Sequence, residues 1–233
     1  MQEKSKPNYI IPNNVDVAIF DVDNTLAKCN IVNFYLFIQK KRKNRFLWLW
    51  YFISFVVRAP YFIVLDLVSR DLFNRLFVER KFRKFQYKEL ETYAELFFNE
   101  FLKHRMIAST HDLIKYLQSK NVPIVLISTN FDLIVKQFGK YFDVPYICLK
   151  ILPTASGVTI DFSNLDNFKE NAVKEYSANS IGVGDSKYDI PVLNYVDYPY
   201  VVADKPQKWF KYLKKTPVLL DIKIKKQMTG ETL

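Results

Sequence analysis

Two apolar segments of this chain each end in a cluster of aspartates, and most of the sequence separates the two clusters. The first segment, residues 15–20, leads into the sequence DVDNT, and the second, residues 180–184, leads into DSKYD. Continuous apolar runs of this length are typical of strands inside a parallel sheet. Ligands of open α/β sheets collect at the carboxyl ends of such strands. The sequence therefore predicts one site, assembled from distant segments, at one edge of a parallel sheet.

Strand and helix patterns alternate along most of the chain. Strands are predicted over residues 15–21, 122–128, 146–149, 180–184 and 200–202. Helices are predicted over residues 109–120, 131–140, 165–176 and 187–195, and a small hairpin over residues 151–162. Such alternation predicts an α/β fold with a doubly wound, Rossmann-like parallel sheet. The lysine-rich segment 206–233 lacks this pattern, and we expect it to be frayed.

One long segment, residues 31–105, does not alternate and is typical of several helices with aromatic stripes. A break is expected at residues 58–60, where the sequence is RAP. We therefore predict a catalytic core formed by residues 1–30 and 106–233, with an inserted α-helical cap formed by residues 31–105. Because the insert follows the first acidic cluster, its expected place is over the mouth of the site.

Positive charge is concentrated in the same part of the chain. Residues 28–108 contain 16 Lys and Arg against 7 Asp and Glu, so they carry most of the net charge of +10. Two cysteines and two histidines are too few for a disulfide framework or a zinc-type ligand set. We expect reduced cysteines in a cytoplasmic protein with a basic, aromatic-rich cap.

Four short motifs occur in a fixed order along the predicted core. They are residues 21–25 (DVDNT), Ser128 at the end of a predicted strand, Lys169 near the start of a predicted helix, and residues 184–189 (GDSKYD). Each motif alone is compatible with a structural role, such as a turn or a helix cap. Together they resemble the haloacid dehalogenase superfamily of phosphatases and phosphotransferases.

The resemblance implies hydrolysis of a phosphate monoester through an aspartyl-phosphate intermediate. Asp21 would be the nucleophile, and Asp23 would protonate the leaving group and later deprotonate the attacking water. Ser128 would donate a hydrogen bond to one phosphoryl oxygen, and Lys169 would neutralise charge beside another. Lys174 is the rival for the position of Lys169, which we prefer because it stands at the start of the helix.

Mg²⁺ is the cofactor that the resemblance implies, and oxygen ligands suit this ion. The metal site would comprise Asp21, Asp23 through its main-chain carbonyl, and Asp185, with Asp189 orienting the ligands from one helical turn further on. The remaining polar residues of the first two motifs are expected to contact the substrate: Asn24, Thr25, Thr129 and Asn130.

The position of the helical insert resembles the subclass of this superfamily that contains phosphoserine phosphatase. In that subclass, acids in the segment after the first motif meet the amine of the substrate, and residues 27–35 here (AKCNIVNFY) contain none. The segment is more similar to membrane-linked relatives, among them phosphatidylglycerophosphatase C. We therefore expect a phosphate ester at a membrane surface, such as a phospholipid headgroup. A soluble small-metabolite phosphatase and a non-catalytic binding protein remain as alternatives.

The cap sequence supports contact with a membrane. Residues 40–45 (KKRKNR) precede an apolar, aromatic-rich run at 46–57, and a second apolar run follows at 61–65. Twelve apolar residues are too few to span a bilayer, so the pattern favours a shallow hairpin or an interfacial helix. We predict peripheral contact with the anionic inner face of the membrane.

Two other interpretations of the cap stay open. The aromatic residues are also compatible with the core of the cap itself or with an oligomer interface, the charges then forming a solvated face. Basic residues 80–84 (RKFRK) are compatible with single-stranded nucleic acid, which is the least favoured partner.

Overall fold

A six-stranded parallel sheet forms the centre of the computed structural model, which describes residues 11–12, 14–68, 73–163, 165 and 167–224. Its strand order is β3-β2-β1-β6-β7-β8, and β4 pairs with β5 in a separate antiparallel hairpin. The strands are β1 Val17–Phe20, β2 Ile124–Phe131, β3 Tyr146–Leu149, β4 Ile151–Thr154, β5 Gly157–Ile160, β6 Ser180–Gly184, β7 Tyr198–Val202 and β8 Val218–Leu220. The order reverses at β1, as in doubly wound sheets. The predicted fold class is confirmed.

Helices pack against both faces of the sheet. Alternate residues of β1 point to opposite faces, so Ala18 and Phe20 join one hydrophobic cluster while Val17 and Ile19 join another. The helices are α1 Ile31–Arg42, α2 Arg45–Val68, α3 (π-helical over Asn74–Glu79, then α-helical over Arg80–Phe82), α4 Tyr87–Phe97, α5 Ala108–Ser119, α6 Asp132–Phe142, α7 Phe168–Val173 and α8 Ile190–Tyr195. The chain connects the strands through these helices, which leaves the carboxyl ends of the strands at one edge.

The expectation that residues 206–233 are frayed is wrong for the part that the structure describes. Val218–Leu220 form β8, the strand at one edge of the sheet, parallel to β7. The side chain of Leu220 is buried, and its main-chain carbonyl accepts a hydrogen bond from the Ala203 N–H at 2.9 Å. A three-residue edge strand with one buried side chain leaves little periodicity for sequence analysis to detect. Residues 225–233 lie outside the described residues.

The predicted break at residues 58–60 is also wrong. The structure has one continuous 24-residue helix, α2, with Pro60 inside it. A proline removes one main-chain donor, here the donor to the carbonyl of Val56. The rings of Phe55 and Phe62, on either side of Pro60, lie 6.2 and 4.8 Å from the Phe77 ring of α3, so packing on both sides holds α2 together through the proline.

Helices α1 to α4 lie between β1 and β2 in sequence and pack against the carboxyl end of the sheet. The Phe82 ring meets the Phe131 ring at a centroid distance of 5.2 Å and an angle of 90°. The N–H of Val158, in the β4–β5 hairpin, donates to the carbonyl of Arg83 at 3.1 Å. Gly157 comes so close that a Cβ there would lie 2.0 Å from the same carbonyl oxygen. These contacts hold the inserted helices over the edge where the acidic clusters lie.

Candidate active site

The carboxyl ends of β1, β2 and β6 bring residues of all four motifs together. Asp21 follows β1 directly, and the Nζ of Lys169, from α7, lies 2.5 Å from its Oδ1 atom. The same Nζ lies 2.5 Å from Oδ1 of Asp189. All three side chains are at most 9% exposed. A buried ammonium group therefore joins the first, third and fourth motifs.

Asp189 orients the loop that follows β6. Its Oδ2 atom accepts hydrogen bonds from the main-chain N–H groups of Asp185 and Ser186, both at 2.9 Å, and lies 3.2 Å from the Ser186 hydroxyl. With Lys169 on Oδ1, both oxygens of Asp189 are occupied. The carboxylate of Asp189 thus positions the main chain at Asp185 and the ammonium group of Lys169.

Asn130 holds Asp23 at the mouth of the site. The Asn130 side-chain amide donates to Asp23 Oδ1 at 2.8 Å, and the thiol of Cys29 lies 3.7 Å from the same oxygen. The register of β2 against β3 shifts between Ser128 and Phe131, and bulges of this kind re-aim side chains near sites. From the sequence, Asn130 is expected to contact the substrate, whereas its observed contact is with Asp23. The contact of Cys29 was not predicted, and the only indication of it in the sequence is that Cys29 lies six residues after Asp23.

The other residues predicted for the site differ in their burial and in their hydrogen bonds. Ser128 is buried, and its Oγ accepts the N–H of Asn130 at 3.1 Å, which leaves the hydroxyl proton available for a ligand. The hydroxyl of Thr25 donates to Asp21 Oδ2 at 3.1 Å, so it helps to position the carboxylate of Asp21. Asn24 is exposed, with a left-handed φ of 55°, and Thr129 is half-buried.

Lys174, the rival of Lys169, points away from the acidic cluster. Its Nζ lies 2.6 Å from Oε1 of Glu170, in α7, and the Lys174 side chain is 56% exposed. Such a surface pair one helical turn apart contributes little to stability. Of the two lysines, only Lys169 contacts the aspartates of the motifs.

The acidic cluster has unusual proton affinities. Burial raises the pKa of Asp21 to about 7, although the charge of Lys169 opposes the rise. Burial, with the charges of Asp189 and Asp21, raises the pKa of Asp185 to about 9. Burial alone would lower the pKa of Lys169, but its two carboxylate partners raise it. The single positive charge of Lys169 therefore does not neutralise the negative charges of the aspartates around it.

The donor set fits a divalent cation with a preference for oxygen. Carboxylate oxygens of Asp21, Asp185 and Asp189 lie within 4.8 Å of one another. Among the described residues, Asp189 accepts from Lys169 and from three donors of the loop after β6, whereas Asp21 accepts only from Lys169 and Thr25. An ion at Asp21 and Asp185 would therefore displace fewer contacts. A divalent cation there would supply the positive charge that the buried carboxylates lack.

The model of the haloacid dehalogenase-like hydrolase family matches residues 18–194, a range that includes the sheet from β1 to β6 and all four motifs. The chain belongs to this family. The sequence-based assignment to this superfamily is thereby confirmed. No curated protein sequence matches this haloacid dehalogenase-like hydrolase closely enough to count as a relative.

Solved structures share the fold of this haloacid dehalogenase-like hydrolase. Phosphoserine phosphatase in its apo form matches with a TM-score of 0.60 and 10% identity, over 89% of this chain and 94% of its own. A protein of unknown function from Bordetella pertussis Tohama I matches with a TM-score of 0.68 and 13% identity, over 88% and 98%. A phosphoserine phosphohydrolase-like protein from Francisella tularensis subsp. tularensis SCHU S4 gives 0.61 and 16%, over 88% and 94%. The predicted phosphoserine-phosphatase-like fold is confirmed.

Gly184 is required for the position of Asp189. A Cβ at residue 184 would lie 2.5 Å from both Cβ and Cγ of Asp189. We expect Gly184→Ala to displace this carboxylate, to lower the free energy of unfolding by about 1–3 kcal/mol and to slow turnover roughly a hundredfold. Urea unfolding and phosphate release measure the two effects. Ser186→Ala, which removes one donor to Asp189 without adding an atom, is the control and should be milder. Parental stability and turnover in Gly184→Ala would contradict this account.

The raised pKa values predict a pH-dependent effect of Mg²⁺ on stability. Because the folded-state pKa values of Asp21 and Asp185 lie above the ordinary 3.8, the metal-free fold loses stability as pH rises toward 9. Mg²⁺ would bind the ionised carboxylates, so its stabilising effect is expected to grow over the same range. Thermal unfolding should show a larger Mg²⁺-induced rise in Tm at pH of about 8 than of about 5. An equal or reversed difference, or one that persists in Asp185→Asn, would contradict the assignment.

Proposed function

We propose that this chain is a Mg²⁺-dependent phosphatase that hydrolyses a phosphate monoester of a lipid headgroup, or of another anionic substrate, at the surface of a membrane. The observation that carries the proposal is the buried contact of Asp21 with Lys169 at 2.5 Å, beside Asp185. A carboxylate nucleophile next to a fixed cation has the charge pattern that phosphoryl transfer requires.

The residues of the chain divide the chemistry between them. Asp21 attacks phosphorus through a carboxylate oxygen, and the bond from phosphorus to the alkoxide oxygen breaks. Asp23, oriented by Asn130, gives its proton to that oxygen and then accepts one from the water that hydrolyses the aspartyl phosphate. Ser128 donates its free hydroxyl proton to a phosphoryl oxygen, and Lys169 offsets the charge on Asp21 as the dianion approaches.

Asp21, the main-chain carbonyl of Asp23, and Asp185 would hold the Mg²⁺. When bound, Mg²⁺ supplies positive charge that reduces the repulsion between the carboxylate and the phosphate dianion. Asp189 takes part through its hydrogen bonds to the main chain of Asp185 and Ser186.

The surface of α2 supports action at a membrane. Because α2 continues through Pro60, Arg45–Leu65 form one stretch that is long and apolar enough to cross a bilayer, whereas the sequence predicts shorter runs that could not; no residue of this stretch is buried. Basic residues, 40–43 and Arg45, stand beside the start of the helix. Thirteen residues of α2 are large, apolar and exposed: Phe46, Leu47, Leu49, Trp50, Phe52, Ile53, Val56, Val57, Tyr61, Ile63, Val64, Leu67 and Val68. An apolar surface of this extent on a soluble domain is typical of an interaction site.

The contacts of α2 favour an interfacial helix over a membrane span. Near its start, the Tyr51 hydroxyl donates to the Tyr35 hydroxyl of α1 at 2.7 Å. Near its end, the Phe62 ring lies 4.8 Å from the Phe77 ring of α3. A helix held against the cap at both ends stays on the same side of the bilayer as the cap. We therefore propose that α2 lies in the plane of one leaflet, on the cytoplasmic side, with the basic residues near anionic headgroups.

A soluble phosphatase of the phosphoserine type is the second candidate. It is favoured by the solved structures that share the fold, two of which are a phosphoserine phosphatase and a phosphoserine phosphohydrolase-like protein. The absence of an acid in residues 27–35 counts against an amino-acid substrate. A non-catalytic binding role would require that the contact between Asp21 and Lys169 supports no hydrolysis of any phosphate ester.

A panel of phosphate monoesters tests the proposal. Purified protein with Mg²⁺ is given an aryl phosphate, phosphoserine and lipid phosphate monoesters in vesicles, and phosphate release is measured with and without a chelator. We expect chelator-sensitive release, fastest on the lipid substrates. Preference for phosphoserine would support the second candidate, and no release from any ester would support a non-catalytic protein.

A further inference from the structure

Two clefts meet where the core joins the cap. The first has a volume of about 390 Å³ and is lined by Asn24, Lys28 and Asp185, so it opens beside the candidate active site. The second has a volume of about 450 Å³ and lies between α1, α2 and the π-helical turn Phe98–Leu102. Asn33 and Arg105 line both clefts. The two clefts are therefore neighbours: the first opens beside the candidate site, and the second lies beside α2.

Half of the residues that line the second cleft are apolar, and the other half, which include Lys40 and Arg105, are polar or charged. Its apolar lining residues are Leu36, Phe37, Trp48, Phe52 and Phe101. Phe52 belongs to the exposed apolar surface of α2 and is 40% exposed. An ion pair of 2.6 Å between Lys41 and Glu100 forms another part of the lining. The cleft thus reaches from the residues that it shares with the first cleft to the surface that we assign to the leaflet.

Arg105 stands at the junction of the two clefts. Its guanidinium carbon lies 4.2 Å from the centroid of the Phe101 ring, so the side chain belongs to both clefts. The main-chain N–H of Lys28 donates to the carbonyl of Arg105 at 2.9 Å, which brings the two basic residues to the same junction. Asn33 is held there because its side chain accepts the N–H of Asn30 at 3.0 Å.

We propose that the two clefts bind one amphiphilic phosphate monoester, with its anionic end in the first cleft and an acyl chain in the second. The inference rests on the proposed phosphatase function and extends it to the residues that select the substrate. Lys28 and Arg105 attract the anionic end, while Leu36 and Phe101 contact the chain. An acyl chain is the occupant that suits this cleft, because the apolar lining continues to α2 and lets the chain leave the leaflet without crossing water.

Chain-length dependence tests the proposal. The substrates are 1-acyl-glycerol 3-phosphates with hexanoyl, octanoyl and dodecanoyl chains, presented without detergent as monomers below their critical micelle concentrations. We expect KM to fall by roughly fourfold for each methylene that enters the cleft. Leu36→Asp places a charge in the cleft and should bring the ratio of kcat/KM for dodecanoyl over hexanoyl substrate close to one. Leu152→Asp, at an exposed leucine of the β4–β5 hairpin, should keep the parental ratio.

A binding measurement makes the result independent of turnover. With Trp50→Phe and Trp209→Phe, Trp48 is left as the single tryptophan, and Asp21→Asn prevents hydrolysis. A brominated acyl chain of the same phosphate ester should quench Trp48, and Leu36→Asp should weaken the quenching. A KM independent of chain length, an unchanged ratio in Leu36→Asp, or an unquenched Trp48 would each overturn the proposal. Failure of the phosphatase function would be distinct, since it abolishes turnover of every ester while quenching persists.

Discussion

Asp21→Asn is expected to reduce phosphate release from an aryl phosphate by at least about a thousandfold. The amide has the shape of the carboxylate but is a poor nucleophile, so no aspartyl phosphate forms. The fold should survive, because Lys169 keeps its contact with Asp189 at 2.5 Å and the change removes a carboxylate from a cluster that repels itself. Steady-state turnover with Mg²⁺, alongside thermal unfolding, separates loss of chemistry from loss of structure.

Asp16→Asn is the matched control for this experiment. Asp16 is exposed and lies just before β1, at the end opposite Asp21. The same chemical change there should leave turnover at the parental level. Equal rates for Asp21→Asn and the parent would mean that another group attacks phosphorus or that the measured activity belongs to a contaminant, and either result would remove the basis of the proposed function.

Two glutamates on α2 are expected to release the protein from membranes. Ile53 and Val57 are 46% and 75% exposed and lie one helical turn apart. Burial of each side chain in a leaflet contributes about 1.5–3 kcal/mol, so Ile53→Glu with Val57→Glu should lower vesicle partitioning by roughly a hundredfold or more. Co-sedimentation with vesicles that contain anionic lipid, across a salt series, gives the partition coefficient.

The control for α2 places the same charges elsewhere. Leu152 and Val218, in β4 and β8, are also exposed apolar residues. Leu152→Glu with Val218→Glu should keep parental partitioning. If the parent does not bind vesicles, and the α2 variant instead converts an oligomer into a monomer, the exposed surface serves self-association and the membrane proposal is wrong.

The candidate site could be predicted from sequence wherever a residue stands at a strand end. Asp21 and Asp185 follow apolar runs that can only be interior strands, and parallel strands bring their carboxyl ends to one edge. The partner of Asp23 could not be predicted in this way. Asn130 reaches Asp23 because β2 shifts register after Ser128, and nothing in the sequence marks that shift.

The two errors in the fold have the same physical origin, namely reliance on local rules where tertiary context decides. Pro60 is a local signal for a helix end, yet α2 continues through it because residues on both sides of the proline pack against α3. Val218–Leu220 lack a local strand signal, yet β7 supplies the pairing partner that makes them β8. In both segments the packing partner, rather than the local sequence, decides the secondary structure.

The sheet order has a consequence for the biosynthesis of the chain. β1 pairs with β2 from Ile124 onward and with β6 from Ser180 onward, so its partners are made long after it. The helices α1 and α2 need only neighbouring residues and can form as they leave the ribosome. The apolar surface of α2 is therefore complete while Asp21 and Lys169 are still far from meeting. With the proposed attachment of α2 to a leaflet, a nearby bilayer would shield that surface from aggregation throughout translation, and the nascent chain would reach the membrane before it gains its catalytic centre.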